Sequence, residues 1–380
     1  MNLLDRYIFK SVLFTCLGAM SLFAFVLMLV NVVRDLLSYT LAGQLPIAVF
    51  GQLVLLILPA VAIYALPMGM LTGVLLTLGR LSADSEITAM RAAGLSMSRI
   101  ARPVFILAAL GSAIALFVNF QSMPRARVQY HHQFAQAIRS NPLRIIVPKT
   151  FLHDFKGCVV YVGEKQGAVM RDFWLWQFDN ETDRRVRRVV HAESGRFDYD
   201  ETTNELILVL TRAQVEVRNA KNPEDFSSPP QVASFEQSEA VRFGLESMFG
   251  HTTIQQKQDW MTVDELQAER LRLAKLTGTP KEVAKARMKL ELIINNKFNL
   301  SLAVFVFAMI GVPLGIKVSR RETSANLGVA VLLAVGYYFL IAMVGWLDRH
   351  PEYRPDLLLW LPNLVFFCLG LWLLRRIDRR

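Results

Sequence analysis

Chemistry in this chain has few places to sit. No Gly-x-x-x-x-Gly-Lys-Ser/Thr phosphate loop, no His-Glu-x-x-His metal motif and no Gly-x-Ser-x-Gly elbow occurs, so the chain carries no recognisable nucleotide site, zinc helix or serine nucleophile of its own. His131-His132 is a tempting metal pair, but adjacent residues do not share a helix face, and the pair reads as a solvated linker. What remains is a charged segment, Leu78 to Gly94, wedged between two apolar runs and carrying Asp84, Glu86 and Arg91, and one cation, Arg34, beside Asp35 at the end of the first apolar run.

The spacing in the charged segment predicts a short helix over Asp84 to Ala93, with Ser82 or Asp84 as N-cap and Gly94 just past the end. Ile87 and Met90, three apart, would form one apolar edge while Glu86 and Arg91 project elsewhere. Two readings stay open: the charges face water, as most charge runs do, or the helix lays its apolar edge in a groove of another protein and pairs Glu86 with a cation there. Arg34 is likewise either an interfacial cation snorkelling to headgroups or pairing with Asp35, or a cation holding the phosphates of an anionic lipid. Phe23, Phe25 and Met28 on the same run could line an acyl cavity or face ordinary bilayer.

The elements that must position these residues are membrane helices. The 380 residues are 53% hydrophobic and 19% charged, with mean hydropathy +0.32, above what a larger soluble core would require. A span needs about 20 apolar residues to cross roughly 30 Å of hydrocarbon. Six runs qualify: Val12 to Val33, Val49 to Leu78 with Pro59 and Pro67 predicting tilt or a kink, Val104 to Phe120, Leu300 to Ile316, Leu327 to Leu347 and Leu357 to Leu374. The first is too long, and lacks the small-residue cleavage site, to be a signal peptide, and is expected to be a retained anchor. The formal charge of +10 does not point to nucleic acid, because the cations cluster beside the apolar runs. Arg6, Lys10, Arg80, Arg91, Arg99, Arg102, Lys317, Arg320, Arg321, Arg375, Arg376, Arg379 and Arg380 mark one side, and Arg34, Arg349 and Arg354 the other. Both termini are therefore expected in the cytoplasm and the block from about Gln121 to Asn299 outside.

Within that block, Arg144 to Val147, Cys158 to Val162, Phe173 to Phe178, Arg188 to His191, Leu206 to Leu210 and Gln214 to Val217 read as short strands. Asp179-Asn180, Gly195 and Asn219 to Asp225 read as turns, favouring an antiparallel sandwich or jelly roll. Thr262-Val263-Asp264-Glu265 and Thr279-Pro280-Lys281-Glu282 fit capping boxes that start two helices, the second running through Met288 and Leu292 into the fourth span. Cys16, Cys158 and Cys368 suggest no bridge. The predicted fold is thus an α-helical membrane protein with six spans and an all-β, jelly-roll-like domain between the third and fourth. Its parts are 1–122, a first half whose connecting helix covers about 82–94; 123–258, the β domain; 259–297, a helical connector; and 298–380, the second half.

Leu3-Leu4-Asp5-Arg6-Tyr7-Ile8, the segment Leu78 to Gly94, and Gly311-Val312-Pro313-Leu314-Gly315 followed by Arg320-Arg321 together resemble the lipopolysaccharide export permeases, the F and G transmembrane subunits of the transporter that extracts lipopolysaccharide from the inner membrane of Gram-negative bacteria. The resemblance covers essentially the whole chain. It implies a periplasmic jelly roll, pairing of an F-like with a G-like six-span subunit, a cytoplasmic ATPase dimer under the coupling helices, a periplasmic bridge protein with its own jelly roll, and a single-span bitopic regulator. Nucleotide and magnesium would be held by the ATPase and no cofactor by this chain. The family's coupling glutamate falls on Glu86, flanked by Asp84 and Arg91, and its basic residue at the external end of the first helix falls on Arg34. Asp35, Leu36 and Leu37 stand where one subunit type carries further lysines, while the Leu-Asp-Arg-Tyr-Ile start looks G-like, so F or G stays open. The rival classes are an envelope scaffold that moves no lipid and an intramembrane enzyme, which would want paired polar residues within the spans.

Overall fold

The computed structural model describes residues 3–30, 34–41, 45–140, 148–152, 157–166, 169–178, 186–200, 205–218, 231–238, 241–244, 258–275, 280–318, 323–346 and 354–378. The chain divides into two compact units. One comprises residues 1–34, 54–130 and 256–380, the other 35–53 and 131–255.

The helices are α1 (Leu3–Met28), α2 (Arg34–Leu41), α3 (Ile47–Ala83), α4 (Glu86–Ala92), α5 (Met97–Phe117), α6 (Met123–Ser140), α7 (Val263–Lys275), α8 (Pro280–Val318), α9 (Thr323–Trp346), α10 (Pro355–Leu358) and α11 (Leu361–Asp378). Six are long and apolar enough to cross a membrane, in α1, α3, α5 with its continuation, α8, α9 and the α10–α11 region. α3 is one helix of 37 residues through Pro59 and Pro67, whereas the third span, against expectation, does not end at Phe120. A π-helical turn, Val118–Ser122, joins α5 to α6 and carries the helix through the predicted boundary to Ser140, so His131 and His132 lie on a helix rather than in a linker. Among the described residues no group of three His, Cys, Asp or Glu is placed to hold a metal ion.

The hub of the helical unit is α8. Some 78% of its apolar window is buried, against 11% for α1 and 17% for α3 and α9. One core joins Val12 and Cys16 of α1, Val74 and Leu78 of α3, Val104 of α5 and Val304 and Ala308 of α8. A second joins Leu71, Phe307, Tyr337 and Phe366. In hydrocarbon, helices associate through close packing and hydrogen bonds rather than through exclusion of water. Gly69 and Gly73 on α3 supply the first: a Cβ on Gly73 would stand 2.6 Å from the Cys16 backbone, and one on Gly69 2.8 Å from that of Met20. The second comes from three fully buried side chains. Tyr337 Oη lies 2.9 Å from Asn363 Oδ1 and 3.1 Å from Asn299 Oδ1, Asn363 Nδ2 donates to Asn299 Oδ1 at 2.6 Å, and Asn299 Nδ2 donates to the Leu359 carbonyl. This network ties α8, α9 and α11 together.

The other unit holds an antiparallel sheet of β1 (Thr150–Leu152), β2 (Cys158–Gln166), β3 (Val169–Phe178), β4 (Val186–Asp200), β5 (Glu205–Val217) and β6 (Gln231–Gln237) in chain order, with β7 (Val241–Gly244) pairing beside β5. An all-β domain thus lies in the chain between the third and fourth membrane helices. Its core is Val160, Val162, Phe173, Ala192, Leu208, Leu210 and Ala213. Leu206 to Leu210 and Gln214 to Val217 are one strand, not two. Arg212 sits at φ 51, and the inward parity changes from Leu208 and Leu210 to Ala213 across it. Asp172, at φ 54, does the same for β3, shifting from Met170 to Phe173. The irregularities line up across the sheet, where Arg212 also pairs with Glu193 at 2.9 Å, and keep one face inward on both sides of a bend. Gly195, expected in a turn, is inside β4 opposite Leu210, where a Cβ would come within 3.0 Å of the Leu210 side chain. The expected strand Arg144 to Val147 and the turns at Asp179-Asn180 and Asn219 to Asp225 lie outside the described residues.

Candidate functional site

The charged segment folds as a tight connector between α3 and α5. Its helix is shorter than expected and differently capped: α3 continues to Ala83, and Ser85 becomes the N-cap in the left-handed region at φ 62, with no side-chain cap, so neither Ser82 nor Asp84 fills that role. Ser82 instead donates to the Ile316 carbonyl at 3.0 Å. The C-terminus closes as a Schellman motif. Gly94 stands at φ +86, its N–H bonds Arg91 O at 2.9 Å, and the Leu95 N–H bonds Met90 O at 3.2 Å.

Ile87 is 3% exposed and belongs to the main helical core, with Met90 packed against it. The apolar edge, which one of the two open readings laid in a partner's groove, seats α4 on its own bundle. α4 presents Thr88, Ala89 and Ala92 outward, with Asp84 and Ser85 exposed just before it and Glu86 and Arg91 half-buried at the margins. Glu86 accepts from Tyr7 Oη, at 3.2 Å to Oε2 and 3.4 Å to Oε1. Arg91 forms no ion pair among the described residues, and Asp84 is exposed with its backbone N–H bonded to Arg80 O at 2.9 Å.

Polar ties brace the connector on several sides. Arg80 donates to Ser11 Oγ at 2.9 Å, Arg99 pairs with Asp5 at 3.8 Å, and the Met97 N–H, at the start of α5, is capped by Asp378 Oδ1 at 3.1 Å. Glu86, Asp84 and Arg91 are thus brought together on one connector held by α1, α3, α5, α8 and α11. Tyr7, Asp5 and Asp378 were not foreseen as parts of this site. The sequence signalled the first two only as neighbours in the Leu-Asp-Arg-Tyr-Ile start, with nothing to say what they touch. Arg34 is the first residue of α2, and its side chain and that of Asp35 lie outside the described residues. Phe25 is 64% exposed, as a lipid-facing side chain would be in this chain alone.

Comparison with known proteins agrees with this architecture. The model of the family described as "Lipopolysaccharide export system permease LptF/LptG" matches residues 6–376. Curated relatives include the lipopolysaccharide export system permease protein LptF of Escherichia coli (strain K12) and that of Shigella flexneri, each 22% identical over 367 residues, covering 96% of this chain and 93% of the relative. With a family model spanning nearly its full length, six apolar helices and an inserted β domain, this chain belongs to the lipopolysaccharide export permease family LptF/LptG.

Proposed function

We propose that the chain is the non-catalytic permease subunit of an ATP-driven exporter that extracts lipopolysaccharide from the inner membrane, pairing with a sibling six-span subunit and taking its energy from a separate cytoplasmic ATPase dimer. The observation that carries this reading is the braced connector. A half-buried carboxylate is offered at its margin, held among the described residues by the Tyr7 phenol, and the helix ends around it are tied to one another, α3 to α1, α5 to α1 and α5 to α11. A guanidinium from the ATPase can form a charge-assisted, two-pronged pair with Glu86 that a phenol cannot match. Because Ile87 sits in the bundle core, displacement of α4 moves α5 and α1 with it. Closure of the cavity between the two permease subunits would then expel the glycolipid, with Arg34 among its phosphate contacts on the periplasmic side.

In this reading the β domain lies in the periplasm and receives the lipid. Every residue of β6 is exposed, and such an edge can accept a strand of a periplasmic bridge protein. The test is purification of the chain in mild detergent with mass spectrometry of all co-eluting proteins and lipids. A sibling six-span subunit, a small ATPase and a phosphorylated glycolipid are expected. Recovery with periplasmic proteins alone, under conditions that keep other transporters intact, would favour the envelope scaffold instead.

A further inference from the structure

A cavity of about 390 Å³ opens in the helical unit at the end of the bundle away from α4. It lies between α3, the π turn with α6, α8 and α9, within a single subunit. Its lining includes the apolar residues Ala60, Ile63, Ile293, Ile341 and Val344. The same lining carries three cations, Arg127, Lys289 and Lys297, against one carboxylate, Asp259.

Lys297 is the informative member. It is 4% exposed, inside a membrane-crossing helix, with its ammonium 5.6 Å over the Phe120 ring and bonded to Met261 O at 2.9 Å. An ammonium has three donors, and two of those on Lys297 have no hydrogen-bond partner among the described residues, with Asp259 and Glu265 the acids near enough to act on its charge. No acid pairs with Arg127 or Lys289 among the described residues. The backbone at Lys297 is pinned by Asn119, 2% exposed on the π turn, whose Nδ2 donates to Lys297 O at 2.9 Å. A π turn widens the helix locally and recurs at functional sites. Asn296 adds a shielded side-chain amide with its oxygen unpartnered among the described residues, and a half-turn of that amide presents NH2 donors in the same place.

We propose that this cavity binds the anionic, phosphate-bearing headgroup of a membrane lipid, with Arg127, Lys289 and Lys297 on the phosphate and the apolar lining residues against the first carbons of the lipid. The volume falls within the range of small-ligand cavities, and charge-assisted bonds from Arg and Lys to phosphate are strong. The inference does not depend on what the transporter carries, since the site is complete in one subunit.

The experiment is native mass spectrometry of the full chain in detergent, titrated with phosphatidylglycerol, with phosphatidylcholine, with a bisphosphorylated glycolipid and with inorganic phosphate as competitor. Phosphatidylglycerol is expected to bind in preference to phosphatidylcholine. Its occupancy should fall about tenfold in Arg127→Gln/Lys289→Gln and stay unchanged in Arg125→Gln, an exposed residue of the same helix that does not line the cavity. Thermal melting establishes that each variant is folded. Displacement of phosphatidylglycerol by the glycolipid, lost in the same double variant, would support the site and name the exported lipid class as its source. Equal binding of the two phospholipids, wild-type occupancy in the folded double variant, or displacement by inorganic phosphate at matched concentration would overturn the assignment.

Discussion

Glu86 and Tyr7 separate charge from hydrogen bonding at one site. Replacing Glu86 with Gln keeps an acceptor for the Tyr7 hydroxyl and removes the charge that an ATPase guanidinium would seek. Bonds to charged groups are worth about 1.5–3 kcal/mol, so ATPase affinity should drop by tenfold or more while the melting temperature of the isolated subunit stays put. Tyr7→Phe reverses the pattern: it removes an exposed hydrogen bond, screened by water, and leaves the charge, so ATPase binding should remain within a few-fold of wild type. If Tyr7→Phe uncoupled transport as deeply as Glu86→Ala, the phenol rather than the charge would be the coupling group. Cys158 gives a pH-dependent readout in the β domain. Burial pushes its thiol above the ordinary range, so the neutral form persists further into alkaline solution and thiolate-dependent alkylation at pH 8 should be slower than for a free thiol. Alkylation at the free-thiol rate would mean that the sheet does not shield this residue.

At the scale of elements, the buried amide and phenol network and the glycine contact hold different helices. Tyr337→Phe leaves the Asn299 and Asn363 amides one partner short between α8, α9 and α11, and interhelical bonds of this kind average well under 2 kcal/mol in membrane proteins. A fall of a few degrees in detergent melting is expected, with the ATPase still bound. Gly73→Leu is a harsher change, because the new side chain meets the Cys16 backbone and α1 cannot retreat without unseating Val12 from the core. Loss of folded protein on gel filtration is expected, whereas Gly18→Leu, with open space around it, should be silent. These contrasts show what the sequence could disclose. Apolar length announced the six helices, and the capping residues at Thr262 and Pro280 marked α7 and α8; the Thr262 N–H does bond Glu265 Oε2, at 2.8 Å. Hidden was anything that depends on a backbone irregularity. The phase change at Arg212 made one strand look like two, and the π turn after Phe117 let a helix run on through residues too polar to read as a span. The destination of Ile87 was hidden too, since an apolar edge three residues apart reads the same whether it faces its own bundle or a partner.

For the whole molecule, the distribution of cations makes a prediction about sidedness. α4 carries Arg91, and the ends of α1, α3, α5, α8 and α11 that surround it carry Arg6, Lys10, Arg80, Arg99, Lys317, Arg375 and Arg376, whereas the opposite ends of the apolar runs are nearly free of cations in their short loops. Translocation disfavours Lys and Arg in short flanking segments and is indifferent to the charges of a long domain. The arrangement therefore expects α4 and both termini in the cytoplasm and the sheet outside. Single cysteines placed at Thr88 on α4 and at Val232 on β6, in a chain with its three native cysteines replaced, test both ends at once, because both positions are exposed. In intact cells permeable only across the outer membrane, a charged maleimide should label the β6 position and spare α4 until the inner membrane is opened. Labelling of α4 in intact cells would place the connector where no cytoplasmic ATPase can reach it. That result would remove the coupling role of Glu86 while leaving the helical fold and its family membership untouched.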